Sequence, residues 1–247
     1  MDIVSLSDVI LDYYTEKNEI NVLKNLNVNI KKGEVVCIVG PSGCGKSTIL
    51  NIISGLLSPT YGVVEVNGKS GYMFQKDNLF EWRTVYKNVL LGLEIKKKCT
   101  DDNKKRALEL LDKYGLLDFK DYYPSQLSGG QRQRVALIRT LLLNPDILLL
   151  DESFSALDFQ TRLLVNEDVY RINKEEKKTA IIVTHDISEA ISLGDRVLVL
   201  SNRPAKVIGE YVINLTLEGD RTPLKSREAM EFKDYFQKIW KEMNSIG

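Results

Sequence analysis

The chain has 247 residues, 43% of them hydrophobic and 28% charged, enough to bury roughly 70 to 75% of the surface its unfolded form exposes. That excludes a disulfide-dependent miniprotein; three cysteines (Cys37, Cys44, Cys99) without a C-x-x-C pair and a single histidine (His185) argue against a structural zinc site and suggest a reducing compartment. Lys+Arg and Asp+Glu both number 34, so no overall basic field steers the protein onto nucleic acid or an anionic membrane, and any anion site must be local.

The first residues, MDIVSLSDVILDYY, carry acids where a signal peptide needs positive charge. Apolar runs such as VVCIV, ILLL and VLVL fall far short of the roughly 18 residues of a membrane span, so the expectation is a soluble, cytoplasmic chain. Leu26, Val28 and Ile30 alternate with Asn27 and Asn29, which predicts a half-exposed strand ending near Lys31 to Glu34. Residues 35–39 are uniformly apolar, as in a strand covered on both faces. From Lys46 onward Ile49, Leu50, Ile52, Ile53 and Leu56 recur at helical spacing, with Gly55 and Pro59 as stops. Asn67-Gly68, between apolar residues 63–66 and 72–74, predicts a short hairpin.

Residues 84–143 change character: Lys/Glu-rich stretches with Ala107, Leu108, Leu110 and Leu111 at helical spacing predict a helical lobe. Three short apolar runs, 147–150, 180–183 and 197–200, are separated by helix-like segments and predict parallel strands, hence an α/β fold. Near the end Leu224, Phe232, Phe236, Ile239, Trp240 and Met243 predict one face of a single terminal helix starting around Thr222-Pro223. The expected division is a core of approximately 1–83 and 144–205, a helical subdomain of approximately 84–143 and a C-terminal extension of approximately 206–247.

Gly40-Pro41-Ser42-Gly43-Cys44-Gly45-Lys46-Ser47, followed by Thr48, fits G-x-x-x-x-G-K-[ST] between a strand and a helix. Its glycines turn backbone N–H groups inward around a β-phosphate, Lys46 reaches the β/γ oxygens, and Ser47 ligates Mg²⁺. An ordinary glycine-rich turn is the bland alternative. Asp151 and Glu152 follow an all-apolar run, where a carboxylate is expensive to bury without a partner. Asp151 suits the Mg²⁺ shell and Glu152 suits a general base, unless both merely cap the next segment. Leu127-Ser128-Gly129-Gly130-Gln131 opens a second helix and offers a second anion-binding end, although Ser-Gly-Gly alone is a commonplace loop.

Together these motifs resemble those of ATP-binding cassette (ABC) ATPases, over nearly the whole chain. The resemblance implies a P-loop NTPase (RecA-like) core with an antiparallel β subdomain and an inserted helical subdomain, binding ATP and Mg²⁺. Gln75 looks like the glutamine-loop residue, linking the γ-phosphate site to the helical lobe and joining Ser47 and Asp151 at the metal. Residues 155–158, ending at Asp158, are similar to the D-loop, and His185 in IVTHD stands at the switch-histidine position. Tyr13 resembles the residue that stacks on adenine, with Tyr14 as the fallback. Catalysis would fall to Glu152, His185, Lys46 and Gln75. In this family two nucleotide-binding domains face head to tail, so Ser128 and Gly130 of one copy would complete the γ-phosphate site of the other.

The resemblance further implies a separate membrane permease, with the segment from Gln75 to Trp82 at the junction and Phe80 and Trp82 in a docking groove, unless these aromatics pack in the core. A solute-binding protein would take part indirectly, no nucleic acid is expected, and the chain would lie on the inner face of the cell membrane. DESFSALD and LSNRPAKVIGEYVINL look most like ATPase subunits of nitrate/sulfonate/taurine importers, and the stretch after Ala205 is too short for the regulatory domain of sugar-importer ATPases. Three features depart from the family pattern: Ser153 in place of a proline, which would loosen the loop carrying Glu152, Glu81 in place of a frequent proline before Trp82, and a short Asn67-Gly68 hairpin. The competing readings are a soluble ABC-type ATPase acting on DNA or ribosomes, and a P-loop small-molecule kinase, which leaves residues 127–131 without a job.

Overall fold

The N-terminal stretch alternates apolar and polar side chains and forms β1 (Asp2–Tyr14), paired antiparallel with β2 (Glu19–Lys31). The structure, a computed structural model, describes residues 1–14, 18–154 and 157–244. β1 is absent from the sequence reading because its alternation slips: register shifts follow Leu6 and Val9, and Asp8 has φ 51°. β3 (Val35–Val39) is buried throughout and leads into α1 (Lys46–Ile53), which buries Ile49, Leu50, Ile52 and Ile53. Gly55, at φ 78°, lies past the end of that helix, and Leu56 is exposed.

β4 (Tyr61–Val66) and β5 (Ser70–Met73) do not form the expected hairpin. β4 pairs antiparallel with β1, whereas β5 belongs to the other sheet, so Asn67-Gly68 is a crossover between sheets. Asn67 N–H donates to Ile3 O at 2.8 Å and Lys69 N–H to Asp146 Oδ2 at 2.9 Å, while a methyl group at Gly68 would come within 2.9 Å of Asp146 Cβ. An Asn-Gly pair marks a sharp change of direction but does not say which strand receives the chain afterwards.

α2 (Val85–Ile95), α3 (Asp101–Lys113) and α4 (Gly129–Leu141) start at the capping side chains of Thr84, Thr100 and Ser128. β6 (Ile147–Asp151), α5 (Phe159–Glu176), β7 (Thr179–Val183), α6 (Ile187–Leu193) and β8 (Arg196–Leu200) then alternate, and β9 (Val207–Val212) returns antiparallel. The larger sheet has the order β5-β6-β7-β3-β8-β9, parallel from β5 to β8. Strand alternation splits the core. Val35, Cys37 and Val39 face one apolar cluster with the helices of residues 85–141, whereas Val36 and Ile38 face another with β1, β2 and α1.

The terminal segment is two helices rather than one, α7 (Pro223–Ser226) and α8 (Met230–Asn244). Both pack on α6, and each has further neighbours of its own. Leu224 N–H donates to Glu167 Oε1 on α5 at 2.7 Å, whereas α8 packs on β8 and β9 through buried Ile239. Leu224 and Trp240, expected on one face, are both exposed.

Candidate nucleotide site

Parallel strands leave their carboxyl ends at one edge of the sheet, and the chemistry-bearing loops follow β3, β5, β6 and β7 there. The loop after β3 needs its glycines: Gly43 and Gly45 have φ 74° and 124°, and a methyl group at Gly40 would come within 3.0 Å of Leu200 Cβ. No side chain caps α1 and no acid occupies its first turn, which leaves its N–H groups and positive dipole end to the loop. Buried Lys46 donates from Nζ to Gly40 O at 2.9 Å and Pro41 O at 3.0 Å, and lies 3.7 Å from Glu152 Oε1. Arg203 Nε donates to Gly43 O at 2.9 Å, pinning the loop from the far side.

β6 presents Asp151 to two hydroxyls. Ser47 Oγ donates to its Oδ1 at 2.8 Å and Tyr72 O–H to its Oδ2 at 3.1 Å. Burial raises the Asp151 carboxyl above its ordinary value, against the lowering effect of both hydrogen bonds, and burial beside Asp151 also holds the Tyr72 phenol protonated. Ser47 and Asp151 thus set two oxygen donors side by side, a pair that fits a hard cation such as Mg²⁺.

Glu152 has φ 44°, a left-handed conformation that costs about 1–3 kcal/mol in a non-glycine residue. Its N–H donates to Val183 O at 2.9 Å, and the turn brings its carboxylate between Lys46 and His185, whose Nδ1 is 3.4 Å from Oε2. Ser153, expected to loosen this loop, has a tie of its own. It is buried, and its hydroxyl donates to Met73 O at 3.1 Å, tying the loop to β5 where a proline would have stiffened it.

Gln75 is exposed just beyond β5. The residues after it are bound to α4. Arg132 Nε donates to Asp77 Oδ2 at 2.8 Å and Nη2 to Glu81 Oε1 at 2.7 Å, while Arg139 donates to Asn78 O and Asp77 O. Burial pushes the Asp77 carboxyl up, but the Arg132 hydrogen bonds, the Leu79 N–H and the Arg132 and Arg139 charges together outweigh it and hold the carboxyl below its ordinary value. Glu81 therefore supplies an ion pair to α4. Phe80 and Trp82 stack at 4.8 Å between ring centroids, and Trp82 is 75% exposed, so it is not core. On β1, Tyr13 shares a face with buried Leu11, and Tyr14 takes the opposite one.

Ser128 caps α4 in a reciprocal box: Gln131 N–H donates to its Oγ at 3.3 Å, and its own N–H to Gln131 Oε1 at 2.9 Å. The N–H groups of Gly129 and Gly130 head the helix. Gly129 is exposed but Gly130 is buried, because a methyl group there would strike Thr161 Cγ2 on α5. Asp158 caps α5 through Thr161 N–H at 3.0 Å, which lowers its carboxyl. Ser155 and Ala156 of the D-loop stretch lie outside the described residues. Two contacts escape sequence reading: Tyr72, a lone phenol in a short strand, and Arg203, distant in sequence from the loop it holds.

A glycine cradle with a buried lysine, and a carboxylate pair at the same sheet edge, define a P-loop nucleotide hydrolase. More particularly, the chain belongs to the ABC transporter family, which matches residues 23–155, and is an ATP-binding, ATP-hydrolysing subunit. It is 43% identical to an uncharacterized ABC transporter ATP-binding protein, YtlC, of Bacillus subtilis, covering 100% of this chain and 97% of that one. The nitrate import ATP-binding protein NrtD of a Synechocystis species is 37% identical over 98% of this chain and 94% of its own. Proteins named for taurine and aliphatic sulfonate import are also similar. Among solved structures, a dimeric post-hydrolysis state of the ATP-binding cassette MJ0796 bound to ADP and Pi matches with TM-score 0.75 at 39% identity, covering 85% of this chain and 99% of that one. These relatives favour transport over action on DNA or ribosomes. Among the described residues no helix is long and apolar enough to cross a membrane.

Proposed function

We propose that the chain drives import of a small solute such as nitrate, a sulfonate or taurine through a separate permease, and that its triphosphate site is shared with a second copy. One observation carries the chemistry: Lys46 and His185 converge on the Glu152 carboxylate, at 3.7 and 3.4 Å. Glu152 takes the proton of the attacking water as general base, Lys46 holds the β/γ oxygens, and His185 contacts the γ-phosphate side. The backbone N–H groups of residues 40–48 cradle the phosphates, and Tyr13 stacks on the adenine. Ser47 and Asp151, with Gln75, would hold Mg²⁺, which when bound neutralises charge on the phosphate oxygens.

Ser128 through Gln131 of a facing copy then close over the γ-phosphate, and Asp158 orders the adjoining junction. A head-to-tail dimer divides the anion donors between chains, so that nucleotide binding favours closure and hydrolysis releases it. Closure is passed on through the core (1–83, 144–205) and the helical part (84–143) to the permease, with Phe80 and Trp82 at the docking surface, on the inner face of the membrane. The segment 206–247 is an extension, and a solute-binding protein delivers cargo from the other side. The relatives named for nitrate, taurine and sulfonate import support this solute class.

The test is reconstitution with the co-purifying permease and binding protein in vesicles. Nitrate, taurine or an alkanesulfonate should stimulate ATP turnover and accumulate inside the lumen that corresponds to the ATP side. Stimulation only by a solute of another class would overturn the substrate reading.

A further inference from the structure

Glu189 is an acid that the nucleotide chemistry does not use, yet it is only 6% exposed, in the first turn of α6 four residues after His185. Its Oε2 accepts from the Thr184 hydroxyl, itself 3% exposed, and Asn166 of α5 lies on its other side. The same Thr184 oxygen accepts from Asp186 N–H at 3.0 Å. One hydroxyl therefore ties both neighbours of His185, while the imidazole between them is 55% exposed and reaches Glu152. The grip extends to α5. Asp186 accepts from Ser188 and Glu189 N–H at 2.8 and 3.2 Å, and its Oδ2 lies 3.7 Å from Arg162, which also donates to Leu157 O at 2.9 Å.

Among the described residues, Glu189 Oε1 and Asn166 Oδ1 are both buried without a donor. Burial raises the Glu189 carboxyl and Asp186 adds to the rise, while hydrogen bonds from the Thr184 hydroxyl and the Asn166 side chain, with the Arg162 charge, oppose it, so the carboxyl is gripped from the end of β7 and from α5 at once.

We propose that Glu189, latched between Thr184 and Asn166, is a positioning residue that holds His185 in reach of Glu152 and ties it to α5. This rests on the reading of His185 as the residue facing the γ-phosphate. A misplacement of even about 1 Å at such a residue lowers turnover by up to about 10²-fold while leaving ground-state binding intact.

The test uses the full, untagged chain, in which His185 is the only histidine and its imidazole NMR signals need no assignment. Glu189→Leu should lower kcat about tenfold, leave the KM for ATP within about twofold, and shift or broaden the imidazole resonances. Glu189→Gln should retain wild-type turnover and resonances, because its oxygen still accepts from Thr184 and its amide gains a donor for the buried Asn166 Oδ1. Where Glu189→Leu fails to fold, Thr184→Val supplies the same loss. In a His185→Ala background, Glu189→Leu should cost nothing further. Additive losses, or unmoved imidazole signals with reduced turnover, would overturn the latch. Wild-type turnover in His185→Ala alone would instead overturn the reading of His185.

Discussion

The molecule presents two glycine-rich helix starts, and they are built differently. At α1 no side chain caps the helix, Gly45 stands at φ 124°, and Lys46, Ser47, Asp151, Tyr72 and Arg203 brace the loop. At α4 Ser128 and Gln131 cap each other, and the start is exposed apart from Gly130 packed on Thr161. A loop that must wrap an anion leaves its N–H groups free and fixes them from outside. A rim that meets an anion held elsewhere can satisfy itself and wait at the surface.

That contrast is sharpened first at Glu152, the residue that both Lys46 and His185 approach. Glu152→Gln should reduce phosphate release by about 10²–10⁴-fold, the usual weight of a general base, with ATP binding intact in a filter or fluorescence assay. Turnover near wild type would remove Glu152 from that role. Next is Lys46→Ala, which deletes a charged donor set from the braced loop. Losing a charge-assisted hydrogen bond of about 1.5–3 kcal/mol should weaken ATP affinity roughly 10- to 100-fold by calorimetry. Gly130→Ala probes the rim as packing. Forcing a methyl group against Thr161, a side chain with little rotamer freedom, should cost about 1–3 kcal/mol and lower Tm by several degrees. An unchanged Tm would mean that α4 and α5 do not approach so closely. The smallest effect belongs to Tyr72→Phe, which removes one hydrogen bond to Asp151, worth about 1 kcal/mol, and should lower turnover a few-fold at most.

The braced loop was legible in the sequence because its chemistry is local: Gly40 to Ser47, strand before and helix after, are contiguous. Asp151, Glu152 and His185 were legible for a related reason, since each ends an apolar strand of one parallel sheet. What escaped depends on partners far along the chain. The Asn67-Gly68 crossover looks like a hairpin until β5 is seen beside β6, and β1 hides behind its bulges. Tyr72 and Arg203 reach Asp151 and Gly43 across 79 and 160 residues. The tie at Ser153 escaped for the same reason, because its hydroxyl finds Met73 O, 80 residues away.

The most direct test of the shared site is sedimentation of the Glu152→Gln chain with ATP, with and without Ser128→Arg. The account predicts an ATP-dependent dimer for Glu152→Gln alone, and a monomer that still binds ATP once an arginine side chain obstructs the rim. A dimer of equal affinity in both would contradict it, because the triphosphate held by one copy would then owe nothing to the Ser128 end of the other.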